Sequence, residues 1–335
     1  MTILDTFKSR IQVAERILIT THEYPDADGI GSEISLCLAL REYGKKAWCV
    51  NEEPLLERYQ YMDPDHCVLG LQEFKKAHGG FLPDLVIVVD TNTHARVGKE
   101  LSRYIDEGKF KVLYIDHHPC RGRDLSNHCI DVTAAATGQM IGEMIEYLGV
   151  QFTKKIALPI YTSIIIDTSS FRYPTVSAST HRLVAKLMAT GINPPEAYNG
   201  IYGTKRVHHM HLLSRILDTA STNADESIAW MLLRQEDIAK FAGDVEDTHA
   251  FINNLLVLNN IKVAIMFRDD GPVIKMSLRS SGDYDVGTIA LSLGGGGHSH
   301  SAATILTKGP GETTEQVISK TVKKVEEILK KLEAA

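Results

Sequence analysis

Three consecutive residues, Asp116, His117 and His118, have side chains that could bind a divalent metal ion. They follow the apolar run 111–115, which predicts a buried strand that ends at the carboxylate. Carboxylate oxygens and imidazole nitrogens bind divalent metals, and open α/β sheets bind their ligands at the carboxyl ends of the strands. The triplet therefore predicts part of a metal site at one edge of a sheet.

Further carboxylates and a histidine also follow apolar runs. They are His22, Asp26 and Asp28 in the segment 21–32, then Asp90, and then Asp167. Each has an ordinary alternative explanation, either a turn with an acidic helix cap or a turn residue at the end of a strand. The segment 21–32 lacks the third acidic position and the final Glu of an EF-hand, which disfavours a calcium loop of that type. Four such segments exceed what chance predicts and together favour a metal site.

These side chains need a sheet to bring them together, and the sequence predicts one. Strands are predicted at 17–20, 47–50, 85–89 and 112–115. Helices are predicted between strands, one ended by Gly44 and another, 133–148, ended by Gly149. Alternation of strands and helices is typical of a parallel sheet, so the fold class is α/β.

A second domain is predicted after two helical segments and a polar stretch. The helical segments are 177–190 and 204–220, and the polar stretch is 221–227. Strands are predicted beyond it at 228–233, 262–267 and 273–278, and helices at 246–258 and 313–332. We therefore predict an N-terminal domain over 1–190, a helical linker over 191–226 and a smaller α/β domain over 227–335.

Composition excludes several classes of protein. The chain of 335 residues is 44% hydrophobic, enough for two cores, and its net charge of -6 disfavours a protein that tracks long nucleic acids through a broad basic surface. Its five cysteines have no Cys-x-x-Cys spacing, which argues against a disulfide framework or a zinc ribbon. No apolar run approaches the roughly 20 residues of a membrane span. We expect a cytoplasmic protein with no membrane partner.

The order of these segments resembles the DHH phosphoesterases, which are named for the Asp-His-His triplet and carry a DHH-associated C-terminal domain. The matching positions are His22, Pro25, Asp26, Asp28, Gly31 and Ser32; Asp90, Arg96 and Gly98; Asp116, His117 and His118; Asp167, Thr168, Phe171, Arg172 and Tyr173; and Gly294, Gly295, Gly296, Gly297 and His298. The resemblance covers nearly the whole chain. It implies a Rossmann-like parallel-sheet domain followed by a domain with a mixed sheet.

The resemblance also implies two divalent cations. One would be bound by His22, Asp26 and Asp90, and the other by Asp28, Asp90, His117 and Asp167. Carboxylates with few imidazoles and no thiolate favour manganese, with magnesium as the alternative. His118 would stabilise phosphate charge or protonate the leaving group, and Asp116 would orient an imidazole.

Substrate contacts are expected from both domains. The candidates are Arg96, Arg172, Arg279, Ser280, Gly295, Gly296, Gly297 and His298. Arg279 could bind a phosphate through two hydrogen bonds, and His298 could reach a base or phosphate across a cleft between the domains. Taken alone, the glycine run would be interpreted as a flexible loop.

The closest resemblance is to the branch that degrades very short RNA and dephosphorylates 3'-phosphoadenosine 5'-phosphate (pAp). We therefore expect RNA of about two to five nucleotides, or pAp, as substrates, and a possible homodimer. Ser169 stands where many relatives have glycine, and this difference bears on substrate preference. A phosphodiesterase of cyclic or linear dinucleotides and a non-catalytic nucleotide-binding regulatory protein are the alternatives. The cluster His208, His209 and His211 is expected to be a solvated helix or a hinge rather than a metal site.

Overall fold

The structure is a computed structural model that describes residues 2–120, 124–203, 206–241, 248, 251–282, 284–297 and 299–333. The chain divides into two compact units, residues 1–204 and 205–335. This division falls inside the segment 191–226 that the sequence predicts as a linker. Within the described ranges, no helix is both long and apolar enough to cross a membrane.

The N-terminal unit is built on a parallel sheet. Its strands, over the described ranges, are β1 (Arg16–Thr20), β2 (Lys46–Asn51), β3 (Val68–Gly70), β4 (Leu85–Val89), β5 (Val112–Asp116) and β6 (Cys129–Ile130). They lie side by side in the order β3-β2-β1-β4-β5-β6, and each neighbouring pair is parallel. The predicted Rossmann-like parallel sheet is confirmed. The strands β3 and β6 were not predicted because two or three residues are too few to show a pattern.

Helices cover both faces of this sheet. They are α1 (Ile3–Val13), α2 (Ala27–Glu42), α3 (Leu71–His78), α4 (Lys99–Gly108), α5 (Thr137–Leu148), α6 (Lys154–Asp167), α7 (Ala178–Met188) and α8 (Pro194–Tyr202). Ile17 and Ile19 of β1 point into the core formed with α2, α5 and α6, whereas Leu18 points to the opposite core with α3 and α4. Burial of one such side chain contributes roughly 1.5–3 kcal/mol.

One local difference from the sequence prediction, and one segment for which no element was predicted, affect the site. The helix α5 begins at Thr137 rather than at residue 133, because Asp131 accepts hydrogen bonds from the backbone and hydroxyl of Thr133 and holds a turn there. The apolar residues before Asp167 belong to α6, whose side chains are buried nearly all round. Because this helix has no polar face, its apolar residues do not show the spacing by which a helix is recognised in a sequence.

The C-terminal unit contains a mixed sheet. Its elements are α9 (Val207–Leu217), β7 (Ser221–Thr222), β8 (Ile228–Arg234), α10 (Gln235–Phe241), β9 (Val263–Asp269), β10 (Val273–Ser280), α11 (Val286–Ser292), β11 (Gly296–Gly297), β12 (Ser301–Thr307) and α12 (Thr314–Glu333). The order is β11-β12-β10-β9-β8-β7, with β8 and β9 parallel and the other pairs antiparallel. The predicted mixed sheet is confirmed. Of the predicted helix 246–258, the described part contains a 3-10 helix at Phe251–Val257, and residues 246, 247, 249 and 250 lie outside the description.

Candidate metal centre

The strand order of the N-terminal sheet explains why distant segments meet. The central strands β1 and β4 are neighbours, and the chain leaves them in opposite directions along the sheet, which opens a crevice at their carboxyl ends. His22 follows β1, Asp90 directly follows β4, and Asp116 ends β5 with His117 and His118 next. Asp90 has a left-handed backbone with φ of 59°, a conformation that Asp tolerates better than most residues.

Two helices bring the remaining carboxylates to this edge. Asp26 caps the N-terminus of α2 and accepts hydrogen bonds from the backbone N–H of Asp28 at 2.9 Å and of Gly29 at 3.3 Å. Asp28 lies in the first turn of the same helix and is 1% exposed. Asp167 is the last residue of α6. Helix ends can therefore supply ligands to a crevice formed by strand ends.

The structure brings all six predicted metal ligands together in two groups. Ligand atoms of His22, Asp26 and Asp90 lie within 4.8 Å of one another, and so do those of Asp28, His117 and Asp167. The His22 Nε2 to Asp90 Oδ2 distance is 3.5 Å, and the His117 Nε2 atom is 3.2 Å from Asp167 Oδ2 and 3.9 Å from Asp90 Oδ1. Asp90 is therefore adjacent to both groups.

The buried carboxylates repel one another strongly. Burial raises the pKa of Asp90 well above its ordinary value, and the negative charges of Asp28 and Asp26 raise it further. Withdrawal from solvent raises the pKa of Asp167 to about 8 despite the attraction of His117. Burial alone would lower the pKa of His117, but its carboxylate neighbours outweigh that effect and raise it to about 9. In the absence of metal, protons supply the positive charge that this cluster requires.

The donor set fits divalent cations that prefer oxygen and imidazole. It contains carboxylates and imidazoles and no thiolate, which suits manganese or magnesium better than zinc. The Nδ1 atom of His117 is 3.2 Å from the backbone carbonyl of Ala134. A proton on Nδ1 would be donated to that carbonyl, leaving Nε2 as the ligand atom toward the carboxylates.

Asp116 contacts His118 rather than the ligand groups. It is fully buried, and its Oδ1 atom accepts hydrogen bonds from His118 Nδ1 at 2.6 Å and from the His118 backbone at 3.2 Å. Its Oδ2 atom accepts from Asn92 at 2.9 Å. Burial alone would raise the pKa of Asp116, but the hydrogen bond and charge of His118 outweigh it and lower the pKa. Asp116 thus holds the ring of His118 in one orientation.

Residues at the start of α5 support the centre and were not predicted. Asp28 accepts hydrogen bonds from the backbone N–H of Thr137 at 2.9 Å and of Gly138 at 3.0 Å, and also from the hydroxyl of Ser163. The Thr137 hydroxyl donates to Asp90 at 2.9 Å. A Cβ atom on residue 138 would lie 1.9 Å from Ser163 Oγ, so glycine is required there. A glycine in the first turn of an apolar helix was the feature of the sequence that could have indicated this close contact.

The candidate substrate residues of the N-terminal unit lie beside the centre, Arg96 at the end of a short 3-10 helix (His94–Arg96) and Arg172 after the end of α6. Arg96 is exposed, and its backbone carbonyl accepts a hydrogen bond at 2.6 Å from Glu23, the residue after His22. Arg172 is also exposed, and its guanidinium donates to Ser169 at 3.4 Å. Ser169 has a left-handed φ of 50°, a conformation that glycine adopts more readily than serine.

In the C-terminal unit the structure separates Arg279 from Ser280. Alternation along β10 puts Arg279 on the half-buried face with Lys275 and Ser277, and puts Ser280 on the other face, where it is 2% exposed. The Ser280 hydroxyl lies 3.0 Å from His300 Nδ1 and donates to the Ser299 carbonyl at 3.3 Å. Both contacts are internal to the unit.

The glycine run is an ordered edge of the sheet. Gly296–Gly297 forms β11 and pairs with Ala303 and Ala302 of β12. A Cβ atom at Gly295 would lie 2.2 Å from the Ala303 carbonyl oxygen, so close packing of two backbones requires glycine there. The candidate His298 lies outside the described residues.

The cluster His208, His209 and His211 lies on α9. His209 is 4% exposed and its ring packs edge-on against Phe251 at 6.5 Å between centroids. In the part of the chain that the structure describes, the groups with metal-binding geometry do not include these histidines.

The parallel sheet ends in carboxylates and partly buried imidazoles, and a mixed-sheet domain follows it. These features define a two-domain metal-binding α/β protein. The chain belongs to the DHH family, whose N-terminal domain matches residues 16–192, and a DHHA1 domain matches residues 228–334. The resemblance to the DHH phosphoesterases and their associated C-terminal domain is confirmed.

Named relatives agree over most of the chain. The bifunctional oligoribonuclease and PAP phosphatase NrnA of Thermus thermophilus is 30% identical over 296 residues, which cover 87% of this chain and 84% of that protein. The protein of the same name from Bacillus subtilis is 26% identical, covering 86% and 88% respectively. An exopolyphosphatase-related protein from Bacteroides fragilis has the same fold, with a TM-score of 0.84 at 23% identity and coverage of 98% and 97%.

Metal binding should strengthen as the pH rises and should release protons near neutral pH. In the metal-free protein the carboxylate neighbours of His117 raise its pKa to about 9 despite burial, and burial raises the pKa of Asp167 to about 8, so this cluster holds protons at pH 7. Both side chains must lose these protons to bind a cation, so affinity should increase until the pH exceeds the higher pKa. Calorimetric titration with Mn²⁺ in two buffers of different ionisation enthalpy measures the released protons. A pH-independent affinity would contradict the expectation.

Proposed function

We propose that this protein hydrolyses very short oligoribonucleotides to nucleoside 5'-monophosphates and dephosphorylates pAp to AMP, using two divalent cations. The observation that carries the proposal is the pair of ligand groups around Asp90 at the carboxyl edge of the sheet. Two relatives that match this chain over most of its length are named as oligoribonucleases and PAP phosphatases. The site supports the proposed class of reaction, and the names of these relatives support the proposed class of substrate.

The residues around Asp90 would divide between the two cations. His22, Asp26 and Asp90 would bind one, and Asp28, Asp90, His117 and Asp167 would bind the other. When bound, such a pair of ions polarises a phosphate and lowers the pKa of water that attacks it. We infer manganese as the working metal and magnesium as its substitute, because the donors are carboxylates and imidazoles.

Other residues of the chain would position and neutralise the phosphate. His118 is held through Nδ1 by Asp116, which leaves Nε2 on the opposite side of the ring. From there it would stabilise phosphate charge or donate a proton to the leaving oxygen. Arg96 and Arg172, both exposed beside the centre, would bind phosphate oxygens.

The C-terminal unit would bind the rest of the substrate. Lys275 and Arg279 share one face of β10, and Arg268 lies opposite Lys275 on β9, so this face carries several cations. Burial and the nearby charge of Arg268 lower the pKa of Lys275. We include Ser280, Gly295, Gly296, Gly297 and His298 in the proposed substrate surface. The buried Ser280 would act by fixing the strand rather than by direct contact.

Charge favours short substrates over long ones. The whole chain carries a net charge of -6, which disfavours an extended basic track, so phosphate binding would rely on a local cluster of cations. A few phosphates can be neutralised by such a cluster, whereas a long strand would meet repulsion beyond it. We also propose that the protein is cytoplasmic and forms a homodimer. Sedimentation analysis would test the dimer.

A substrate panel tests this function directly. With Mn²⁺, hydrolysis of diribonucleotides and of pAp should exceed hydrolysis of long single-stranded DNA and of cyclic di-AMP. Product analysis should identify nucleoside 5'-monophosphates from the RNA and AMP from pAp. Preferential hydrolysis of the cyclic dinucleotide would support the alternative phosphodiesterase, and nucleotide binding without hydrolysis would support a regulatory protein.

A further inference from the structure

Three cysteines converge in the core of the N-terminal unit, away from the metal centre. Cys37 lies on α2, Cys49 on β2, and Cys67 directly before β3, and all three are 0% exposed. Their Sγ atoms lie within 4.8 Å of one another, and none forms a disulfide. The two remaining cysteines, Cys120 and Cys129, do not belong to this group.

A buried carboxylate adjoins the three thiols. Asp63 is 3% exposed, and its Oδ1 atom lies 3.0 Å from Cys67 Sγ. The backbone N–H groups of Cys67 and Val68 donate to the two oxygens of Asp63 at 2.9 and 3.0 Å, which fixes the carboxylate in place. The cluster therefore offers one oxygen donor in addition to three sulfur donors.

The helix face that carries Cys37 has charged groups with unused hydrogen-bonding atoms. Glu33 and Arg41 lie four residues before and after Cys37, so the three share one face of α2. Glu33 is fully buried, and the backbone carbonyl of Glu33 is 3.2 Å from Cys49 Sγ. Among the residues that the structure describes, Glu33 Oε2 and Arg41 Nη2 are buried without a hydrogen-bond partner. An apolar packing cluster does not require charged neighbours of this kind.

We propose that Cys37, Cys49, Cys67 and Asp63 form a second, thiolate-rich metal site that binds zinc. Burial of cysteine as a small apolar residue explains each thiol separately, but it does not explain their convergence beside a fixed carboxylate. Zinc takes four ligands in a tetrahedron with Zn–S bonds of roughly 2.3 Å, so its sulfur ligands stand roughly 3.8 Å apart. The three sulfur atoms, all within 4.8 Å of one another, need little adjustment, whereas the Asp63 carboxylate, which contacts Cys67, would have to move toward the other thiols.

Groups already present offset part of the charge of such a site. On binding, the three thiols release their protons to solvent, and the thiolates with Asp63 give four negative charges against two on zinc. Arg41, on the same face of α2, offsets part of the remainder. Thiolates select zinc over manganese and magnesium, so the two sites would bind different metals. The N-terminal end of α2 carries Asp26 and Asp28, so this site would anchor the helix that supplies those carboxylates.

Cobalt spectroscopy tests the site without using activity. Protein unfolded in chelator and refolded with Co²⁺ should show the thiolate-to-cobalt absorption of a tetrahedral site, at about one equivalent per chain. The oxygen and imidazole donors around Asp90 cannot produce this absorption. Cys37→Ala and Cys67→Ala should abolish it, whereas Cys129→Ala, which removes another buried thiol, should retain it. Cys120→Ala should also retain the absorption. This result would exclude the Cys120 thiol, which lies 3.7 Å from the His118 carbonyl, as its source.

Metal analysis of the wild-type protein provides a second test of the zinc site, and this test does not depend on whether the variants fold. Protein purified from zinc-containing medium and dialysed against chelator should retain about one zinc per chain and release it on unfolding. Folded wild-type protein that retains no zinc and shows no thiolate absorption with cobalt would overturn the proposal. The cysteines would then be packing residues alone.

Discussion

Replacement of Asp90 by asparagine should lower the rate of diribonucleotide hydrolysis by about a thousandfold or more, because loss of metal ligation removes several kcal/mol of stabilisation from the transition state. Asp90 lies 3.5 Å from His22 Nε2 and 3.9 Å from His117 Nε2, next to both ligand groups. Metal analysis should show reduced Mn²⁺ content in parallel. Asp65→Asn, at an exposed carboxylate paired with Lys155, should retain activity and metal.

The same substitution should stabilise the metal-free protein. The folded-state pKa of Asp90 is raised by burial and by repulsion from Asp28 and Asp26. A carboxyl with a raised pKa contributes stability that is fully present below its ordinary pKa and is lost as the pH rises through the folded value. Asparagine carries no charge, so the advantage of Asp90→Asn should grow with increasing pH. Urea unfolding in chelator at several pH values measures this, and a variant that is less stable throughout would contradict it.

Replacement of His118 by asparagine should lower kcat about a hundredfold or more while metal content remains unchanged. Proton transfer by a positioned side chain typically contributes about 10² to 10⁴ in rate. The ring of His118 is held by the fully buried Asp116 through a hydrogen bond of 2.6 Å. Asp116→Asn should therefore lower kcat as well, and the double variant should lose little more than His118→Asn alone, because the two residues act as a unit.

The metal content of the His118→Asn variant distinguishes a role of His118 in proton transfer from a role as a metal ligand. His118 also lies within 4.8 Å of ligand atoms of Asp90 and His117, so it could serve as a ligand. Loss of Mn²⁺ in His118→Asn would reject the proton-transfer role and make His118 a ligand. His66→Asn is the matched control, since His66 is exposed and has a left-handed φ of 49° that asparagine accepts.

The sequence was most informative where side chains that could bind metal directly follow a strand. The apolar runs before Asp90 and Asp116 predicted β4 and β5 correctly, because strands buried on both faces have continuous apolar sequences. The segment order was sufficient to identify the family, which is confirmed. Carboxylates and imidazoles that follow apolar residues were visible as candidates in the sequence, and the resemblance to the family selected six of them as ligands.

Other parts of the site leave no recognisable pattern in the nearby sequence. Thr137 and Gly138 contact Asp28 through backbone N–H groups, and every non-proline residue carries such a group. The sequence placed the start of α5 four residues too early, which hid their position. Arg279 and Ser280 were both candidate substrate contacts, and only the alternation of β10 shows that the two side chains point to opposite faces.

The sequence by itself determined the residue types, their order along the chain and the elements that precede them, because periodicity and composition are local properties. Tertiary structure decided which residues meet. Cys37, Cys49 and Cys67 have a spacing that predicts no metal site, yet α2, β2 and the start of β3 bring their thiols together. Likewise, the metal centre exists because the neighbouring strands β1 and β4 end at the same edge, and strand order is set by packing of the whole sheet rather than by any one segment.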